Sequence, residues 1–151
     1  MAPYAIPRPT LALSDVQPTE LMARARAVAE HAYAPYSNVR VGAALLTKDG
    51  RVFVGTNVEN ASFGLTICAE RAAVFTAVTE GATELRSIAI WSSLERPLPP
   101  CGACRQVLSE FAPSLEVWWT SGDAEPVCST LDELLSHQLA PDDVRRAGGS
   151  S

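Results

Sequence analysis

The sequence predicts a single α/β domain in which helices cover both faces of a mixed, five-stranded sheet. Apolar residues at helical spacing alternate along the chain with short β-rich runs, the arrangement of a three-layer α/β/α domain. The first two predicted strands flank Asp49-Gly50, a dipeptide typical of antiparallel hairpins, which makes the sheet mixed. The chain has 151 residues, of which 47% are hydrophobic and 19% charged, enough to bury one core.

Periodicity and punctuating residues predict where each element begins and ends. Proline suits the first turn of a helix and interrupts its interior, while glycine often follows the last turn. On these signals four helices are predicted: from Pro18 to the residues before Pro35, from near Cys68 to Gly81, from Pro100 to the residues before Pro113, and over 131–135. Five β-rich runs are predicted as strands: 41–47, 52–58, 85–91, 115–120 and 126–129.

The chain divides into one domain, residues 18–146, and two short ends. Residues 1–17 contain several prolines and lack periodicity, so we expect a loose N-terminal extension. Residues 147–151 are rich in glycine and serine, so we expect a disordered tail.

Charge and hydropathy limit the partners of this domain. The net charge of -5, without a long basic run, argues against a nucleic-acid-binding face. No apolar stretch approaches the roughly 20 residues that span a bilayer, and the first 15 residues do not resemble a secretory signal. We therefore predict a cytoplasmic protein that binds neither nucleic acid nor membrane, and whose cysteines are reduced thiols.

Three of the four cysteines are spaced as metal ligands. Cys101 and Cys104 lie three residues apart at a predicted helix start, which places both sulfurs on one face. Cys68 also lies at a helix start, and the positive ends of two helices would stabilise thiolates. Three thiolates would hold Zn²⁺ and leave a fourth position for water, and Glu70, two residues from a ligand, would move protons. Arg71 and Arg105 are candidates to offset the negative charge of the ligands.

The same residues also fit other kinds of site. A closed structural zinc site needs a fourth ligand, for which Cys128, His31 and His137 are candidates without metal-like spacing. We expect His31 in the first helix, His137 in an exposed segment and Cys128 as a small buried hydrophobic residue. Cys101 and Cys104 also resemble a redox pair, and a glutamate in a first helical turn is ordinary dipole complementarity.

Several motifs together resemble the small zinc-dependent cytidine deaminases over residues 19–144. The motifs are Ala34-Pro35-Tyr36-Ser37, Val41-Gly42-Ala43-Ala44-Leu45, Asn57-Val58-Glu59-Asn60, Cys68-Ala69-Glu70-Arg71 and Pro100-Cys101-Gly102-Ala103-Cys104-Arg105-Gln106. The resemblance implies hydrolytic deamination of cytidine or 2′-deoxycytidine in pyrimidine salvage, with one Zn²⁺ per subunit. It also implies a homotetramer in which neighbouring subunits complete each site.

The resemblance further implies roles for residues around the zinc. Asn57 and Glu59 are expected to hold the ribose 3′-hydroxyl, although from the residues alone they also fit a surface strand end. The backbone N–H of Ala69 is expected to contact the base carbonyl, and the Pro99 carbonyl the exocyclic amine. Arg71 is expected to donate to a ligand sulfur.

Two positions depart from the pattern of that family. Val39 replaces a phenylalanine that packs on the pyrimidine, and Leu139 aligns with an aromatic residue delivered by a neighbouring subunit. Losing an aromatic ring that stacks on the base weakens the free energy of binding by on the order of 1–3 kcal/mol. Aliphatic packing therefore either weakens binding of plain cytidine or admits altered bases, such as N4-substituted cytidines or the substrate of blasticidin-type deaminases.

Two further function classes remain open from the sequence. A structural-zinc interaction protein would bind the metal with four protein ligands and have no catalysis. A nucleic-acid-editing deaminase is disfavoured by the acidic charge. The tryptophans at 91, 118 and 119 fit either interface or core packing.

Overall fold

The computed structural model describes residues 16–148, with side chains as far as residue 145. It contains a five-stranded sheet in the order β2-β1-β3-β4-β5. The strands are β1 Val41–Thr47, β2 Val52–Thr56, β3 Leu85–Ser92, β4 Glu116–Ser121 and β5 Val127–Thr130. β3 and β4 are parallel, and the other neighbouring pairs are antiparallel, which confirms the predicted mixed sheet.

One helix covers one face of the sheet. Helix α1, Pro18–Ala29, packs Leu21, Ala25 and Ala29 against apolar side chains of β1 and β3. Successive side chains of a strand point to opposite faces of the sheet. Ala44 and Leu46 of β1 therefore face α1, whereas Ala43 and Leu45 face the other side.

The other face carries the remaining core. Helix α2, Ala69–Thr79, helix α3, Gly102–Phe111, and the short α4, Leu131–Leu134, all contribute buried side chains to one cluster there. Side chains of β1, β2, β3 and β4 also belong to this cluster. Helices on both faces confirm the three-layer α/β/α architecture.

The first helix ends earlier than the sequence predicted. After Ala29 the N–H groups of His31 and Ala32 bond to carbonyls three residues back, which tightens the chain into a turn. Tyr33 then donates to the Asn57 carbonyl and forms a bridge with Val58. A tertiary contact therefore ends the helix before Pro35 is reached, and His31 lies just beyond it.

The second strand is also shorter than predicted. It ends at Thr56, after which Val58 bridges to Tyr33 on one side and to Ile67 on the other. Asn57 and Glu59 therefore lie on an irregular segment beyond the strand. Between this segment and α2 lies a 3₁₀ turn, Phe63–Leu65.

The ends of the chain differ from the predicted boundaries. Residues 1–15 of the expected extension lie outside the described residues, whereas Val16 packs against the α1 side of the core. An unpredicted helix, α5, covers Pro141–Gly148 and includes the first two residues of the expected tail. The rest of the tail, residues 149–151, lies outside the described residues. No helix within residues 16–148 has the length and hydropathy of a bilayer span.

A glycine allows α2 to approach the sheet closely. A Cβ atom added to Gly55 on β2 would lie 2.3 Å from the Ala73 nitrogen and 2.6 Å from the Ala69 oxygen. Both atoms belong to the backbone of α2, so only glycine permits this separation. The contact fixes where the first turn of α2 lies relative to the sheet.

Candidate active site

Three cysteine sulfurs meet where two helices begin. Cys68 is the N-cap residue of α2, Cys101 is the N-cap residue of α3, and Cys104 lies in the first turn of α3. Their Sγ atoms all lie within 4.8 Å of one another, and those of Cys68 and Cys101 are 3.8 Å apart. The first-turn N–H groups of both helices lack acceptors within the helix, and their partial positive charge favours thiolates here.

The donor set fits zinc. Three soft thiolates at this separation match the ligands that Zn²⁺ prefers, and Cys104 is fully buried. Among residues 16–148, no further histidine, cysteine or carboxylate joins the three cysteines. His31 and His137 are exposed. A site with three protein ligands is typical of catalytic zinc rather than structural zinc.

Cys128 is exposed on β5, so the prediction that it is buried was wrong. The alternating burial expected for a strand is lost because β5 is an edge strand with only β4 beside it. Its thiol pKa is raised, chiefly by desolvation, with the negative charge of Glu116 adding to the effect.

One of the two candidate arginines contacts the cluster. Arg71 donates from Nη2 to the Cys68 sulfur at 3.4 Å and to the Thr66 carbonyl at 3.3 Å. Arg105 instead donates to the carbonyls of Pro100 at 2.7 Å and Leu134 at 2.6 Å. Arg105 therefore ties the loop before α3 to α4, and its predicted contact with the sulfurs is not found.

The thiols of Cys68 and Cys104 interact strongly. A hydrogen bond from the Cys104 thiol is the largest of the effects that lower the pKa of Cys68 to about 5, and Arg71 adds to it. The same hydrogen bond, with burial, raises the pKa of Cys104. The pKa values of the two thiols are therefore shifted in opposite directions. A divalent cation bound to both sulfurs would favour the ionised form of each.

Glu70 is a buried carboxyl group beside this cluster. It is 4% exposed and lies in the first turn of α2. Burial raises the pKa of Glu70 to about 7, opposed by its own backbone N–H, and the negative charge of Cys68 raises it further. An ordinary dipole-complementing glutamate would lie in solvent, so burial favours a chemical role over that interpretation.

Asn57 and Glu59 lie two residues apart after β2, and the side chains of both hydrogen-bond to residues 36–41. Asn57 is 7% exposed, accepts from the Val41 N–H at 2.9 Å and donates to the Val39 carbonyl at 2.8 Å. Glu59 accepts from the N–H groups of Tyr36 at 2.9 Å and Ser37 at 3.2 Å, and from the Ser37 hydroxyl. These hydrogen bonds lower the pKa of Glu59, chiefly through the hydroxyl of Ser37, and keep its carboxylate ionised.

The remaining predicted residues are positioned as follows. Ala69 is fully buried as the first residue of α2, where its N–H has no acceptor within the helix. Pro99 is half-buried in the loop before α3. Val39 is half-buried and lies between Ser37, which binds Glu59, and Val41, which binds Asn57. Leu139 is 57% exposed, and its carbonyl accepts from the Gln106 side chain. Within the described subunit, the Leu139 side chain therefore faces solvent.

Sequence reasoning assigned no role to Ser37 or Tyr36. Both belong to the Ala34-Pro35-Tyr36-Ser37 motif, and together they supply all three hydrogen bonds that the Glu59 carboxylate accepts. The available signal was the motif itself. The 22 residues that separate Ser37 from Glu59 concealed the contact.

A buried carboxyl group next to a cluster of metal-binding thiols defines the class of this protein. Two helices on one face of an α/β sheet present the ligands, and Glu70 lies two residues after the ligand Cys68, in the first turn of α2. This is a zinc enzyme with an open, three-cysteine site.

Comparison with known proteins identifies the family. A sequence model described as the cytidine and deoxycytidylate deaminase zinc-binding region matches residues 16–119, which include the three clustered cysteines. The chain therefore belongs to the zinc-dependent cytidine deaminase family, a family of hydrolytic enzymes.

Individual relatives agree with this placement. Cytidine deaminase from Halalkalibacterium halodurans is 48% identical over 118 residues, 76% of this chain and 88% of that protein. Cytidine deaminase from Sporosarcina psychrophila is 41% identical over 131 residues, 85% of this chain and 95% of that protein. The crystal structure of cytidine deaminase from Burkholderia pseudomallei matches with a TM-score of 0.79 and 46% identity, covering 82% of this chain and 100% of that one.

Proposed function

We propose that this protein hydrolyses the 4-amino group of cytidine and 2′-deoxycytidine, giving uridine or 2′-deoxyuridine and ammonia. The single observation that carries the proposal is the buried Glu70 carboxyl group beside three sulfurs at two helix N-termini. Relatives named cytidine deaminase, at 41–48% identity, support the choice of substrate.

Cys68, Cys101 and Cys104 would hold the zinc, which when bound supplies an activated water for attack at C4 of the pyrimidine. Arg71 stabilises the Cys68 thiolate through its hydrogen bond to Sγ, which offsets part of the negative charge of the ligands. Less ligand charge at the metal favours ionisation of the attacking water.

Glu70 acts as the acid and base of the reaction. Its carboxylate takes a proton from the attacking water and delivers it to ring nitrogen N3. It then takes a second proton from the hydroxyl added at C4 and delivers it to the amine that leaves C4. Burial raises the pKa of Glu70 to about 7, near the pH at which one group both accepts and donates efficiently. With zinc bound to the three cysteines, the pKa of Glu70 would be lower, which would favour the base form of its carboxylate at the start of the cycle.

Neighbouring groups orient the nucleoside. The Ala69 N–H at the start of α2 is suited to the base carbonyl, and the Pro99 carbonyl to the exocyclic amine. After the contacts with other residues in the described range 16–145, Asn57 retains one free amide hydrogen and Glu59 one free acceptor site. One donor and one acceptor suit a single sugar hydroxyl, as expected for the ribose 3′-hydroxyl.

Replacement of Glu70 tests the proposal. Glu70→Gln keeps the shape of the side chain but cannot exchange protons, so kcat should fall roughly 10²–10⁴-fold while one zinc per chain is retained. Turnover is followed by the loss of cytosine absorbance and by ammonia release, and zinc by elemental analysis. Glu80→Gln, at the exposed end of the same helix, is the matched control and should keep full activity.

Two results would contradict this function. Zinc-loaded protein that turns over neither cytidine nor 2′-deoxycytidine would overturn it, and normal turnover by the Glu70→Gln variant would exclude the proton-transfer role. X-ray absorption at the zinc edge distinguishes a structural site, which has four protein ligands, from three sulfurs with one light atom.

Val39 supports a second candidate substrate class. An aliphatic side chain fills less space than the phenylalanine expected at this half-buried position, which favours N4-substituted cytidines or a blasticidin-type substrate. A kinetic panel with cytidine, N4-methylcytidine and blasticidin S ranks these substrates directly.

We also propose a homotetramer that binds no nucleic acid. Large apolar side chains are exposed on the described subunit, including Phe63, Leu65 and Leu139, which supports an interface with further copies. Light scattering after size-exclusion chromatography measures the number of subunits in the assembly. Salt-sensitive binding of single-stranded RNA or DNA would contradict the proposal that the protein binds no nucleic acid. A cytoplasmic location and a role in pyrimidine salvage stay predictions.

A further inference from the structure

Ser37 links the Glu59 carboxylate, proposed to bind the sugar, to the turn that carries Val39. Its hydroxyl donates to Oε1 of Glu59, and its backbone N–H donates to Oε2 of the same carboxylate. The same hydroxyl accepts from the Val39 N–H at 3.0 Å. The single hydroxyl proton is therefore committed to Glu59, and one lone pair of the oxygen to the turn that carries Val39.

The turn between Ser37 and Val39 is held in an uncommon conformation. Asn38 has φ of 58°, in the left-handed region that few residues other than glycine adopt. Asn57 binds the far side of the turn through the Val39 carbonyl and the Val41 N–H. Hydrogen bonds on both sides of Asn38 thus hold the turn in one conformation.

The remaining hydrogen-bonding capacity of Glu59 depends on this arrangement. A carboxylate offers about four acceptor sites, and here Tyr36 and Ser37 occupy three of them. Among the contacts made by the described residues, one acceptor site of Glu59 therefore stays free, and its direction is set by the three that are filled. Without the Ser37 hydroxyl two sites would be free, and the carboxylate could rotate about its remaining contacts.

We propose that Ser37 is a positioning residue for sugar recognition, which aims the Glu59 carboxylate at one hydroxyl of the nucleoside. The inference rests on the proposed role of Glu59 in binding the ribose. Ser37 acts through Glu59 and touches neither the base nor the metal. The hydrogen bond from its hydroxyl also keeps the pKa of Glu59 below the ordinary value, so the acceptor stays ionised.

A comparison of two substrates tests this role. Ser37→Ala removes the hydroxyl but keeps the backbone N–H, and should raise KM for cytidine about tenfold with little change in kcat. For 3′-deoxycytidine, which lacks the hydroxyl that Glu59 binds, wild type and variant should agree within about twofold. A purely structural defect would lower activity on both substrates alike, and that result would overturn the proposal.

Two controls separate the hydroxyl from the loop. Ser37→Thr retains the hydroxyl and should restore the cytidine KM to within about twofold of wild type. Ser62→Ala removes an exposed serine hydroxyl, for which no hydrogen bond is found among the described residues, and should leave the kinetics of both substrates unaffected. Failure of Ser37→Thr to restore KM counts against the role of the hydroxyl.

A double-mutant cycle distinguishes failure of this inference from failure of the proposed function. Glu59→Gln should raise KM for cytidine about tenfold or more, and Ser37→Ala should then add less than twofold. If Glu59→Gln leaves KM unchanged, the proposed ribose contact is wrong. If Glu59→Gln raises KM but Ser37→Ala does not, or the two effects are independent, the positioning role of Ser37 is wrong.

Discussion

Replacing Gly55 by alanine tests how closely the packing of α2 controls the zinc site. The added Cβ would lie 2.3 Å from the Ala73 nitrogen, whereas an ordinary van der Waals contact is at least 3.4 Å. The helix would therefore have to recede from β2 by about 1.1 Å, the difference between these two distances. The atoms met are backbone atoms, so a side-chain rotation cannot relieve the contact.

Such a shift should affect both stability and chemistry. Overpacking of a core costs about 1–3 kcal/mol, which should appear as a lower free energy of unfolding in urea. Cys68 and Glu70 move with the start of α2, while Cys101 and Cys104 stay with α3. A misplacement of about 1 Å can cost about 10²-fold in rate, so kcat/KM should fall by that order.

Three measurements on the Gly55→Ala variant check the reasoning: urea unfolding, zinc affinity by chelator competition, and kcat/KM for cytidine. Gly64→Ala is the control, because an added Cβ there meets no atom within 4 Å. The reasoning is refuted if Gly55→Ala keeps both the zinc affinity and the kcat/KM of wild type. A lower free energy of unfolding with unchanged zinc affinity would show that α2 and α3 move together, because the three sulfurs would then keep their separation.

Two further predictions concern the surroundings of the metal. Arg71→Ala removes the donor to the Cys68 sulfur and should weaken zinc binding about 10–100-fold, as measured by chelator competition; affinity equal to wild type would contradict this. Val39→Phe should raise kcat/KM for cytidine relative to N4-methylcytidine about tenfold, because a ring would stack on the base and fill the space beside it. An unchanged ratio of the two efficiencies would mean that position 39 does not determine specificity.

Local patterns predicted most of the fold. The hairpin at Asp49-Gly50 is confirmed, and α2 ends just before Gly81, which follows the C-cap residue Glu80. Gly50 and Gly81 both adopt positive φ values, which few residues other than glycine tolerate. The early end of α1 was missed because Tyr33 pairs with a segment more than twenty residues away. Local periodicity carries no information about such a partner.

The candidate site was predictable where its chemistry is local. The spacing of Cys101 and Cys104 on one helix turn follows from helical geometry, and the three-cysteine cluster agrees with it. The contact of Arg105 with Pro100 and Leu134 was not predictable, because the position of α4 depends on core packing. The exposure of Cys128 depends likewise on which strand lies at the sheet edge.

By itself, the sequence determined the residue types at the site and the elements that carry them, because short-range spacing governs helices, turns and ligand pairs. The tertiary structure decided the rest. Packing of α2 and α3 on one face of the sheet brings Cys68 to Cys101 across 33 residues and buries Glu70 beside them. Burial raises the pKa of Glu70 to about 7, because a charged carboxylate is poorly solvated there. That property belongs to the environment of the residue, which only the folded chain provides.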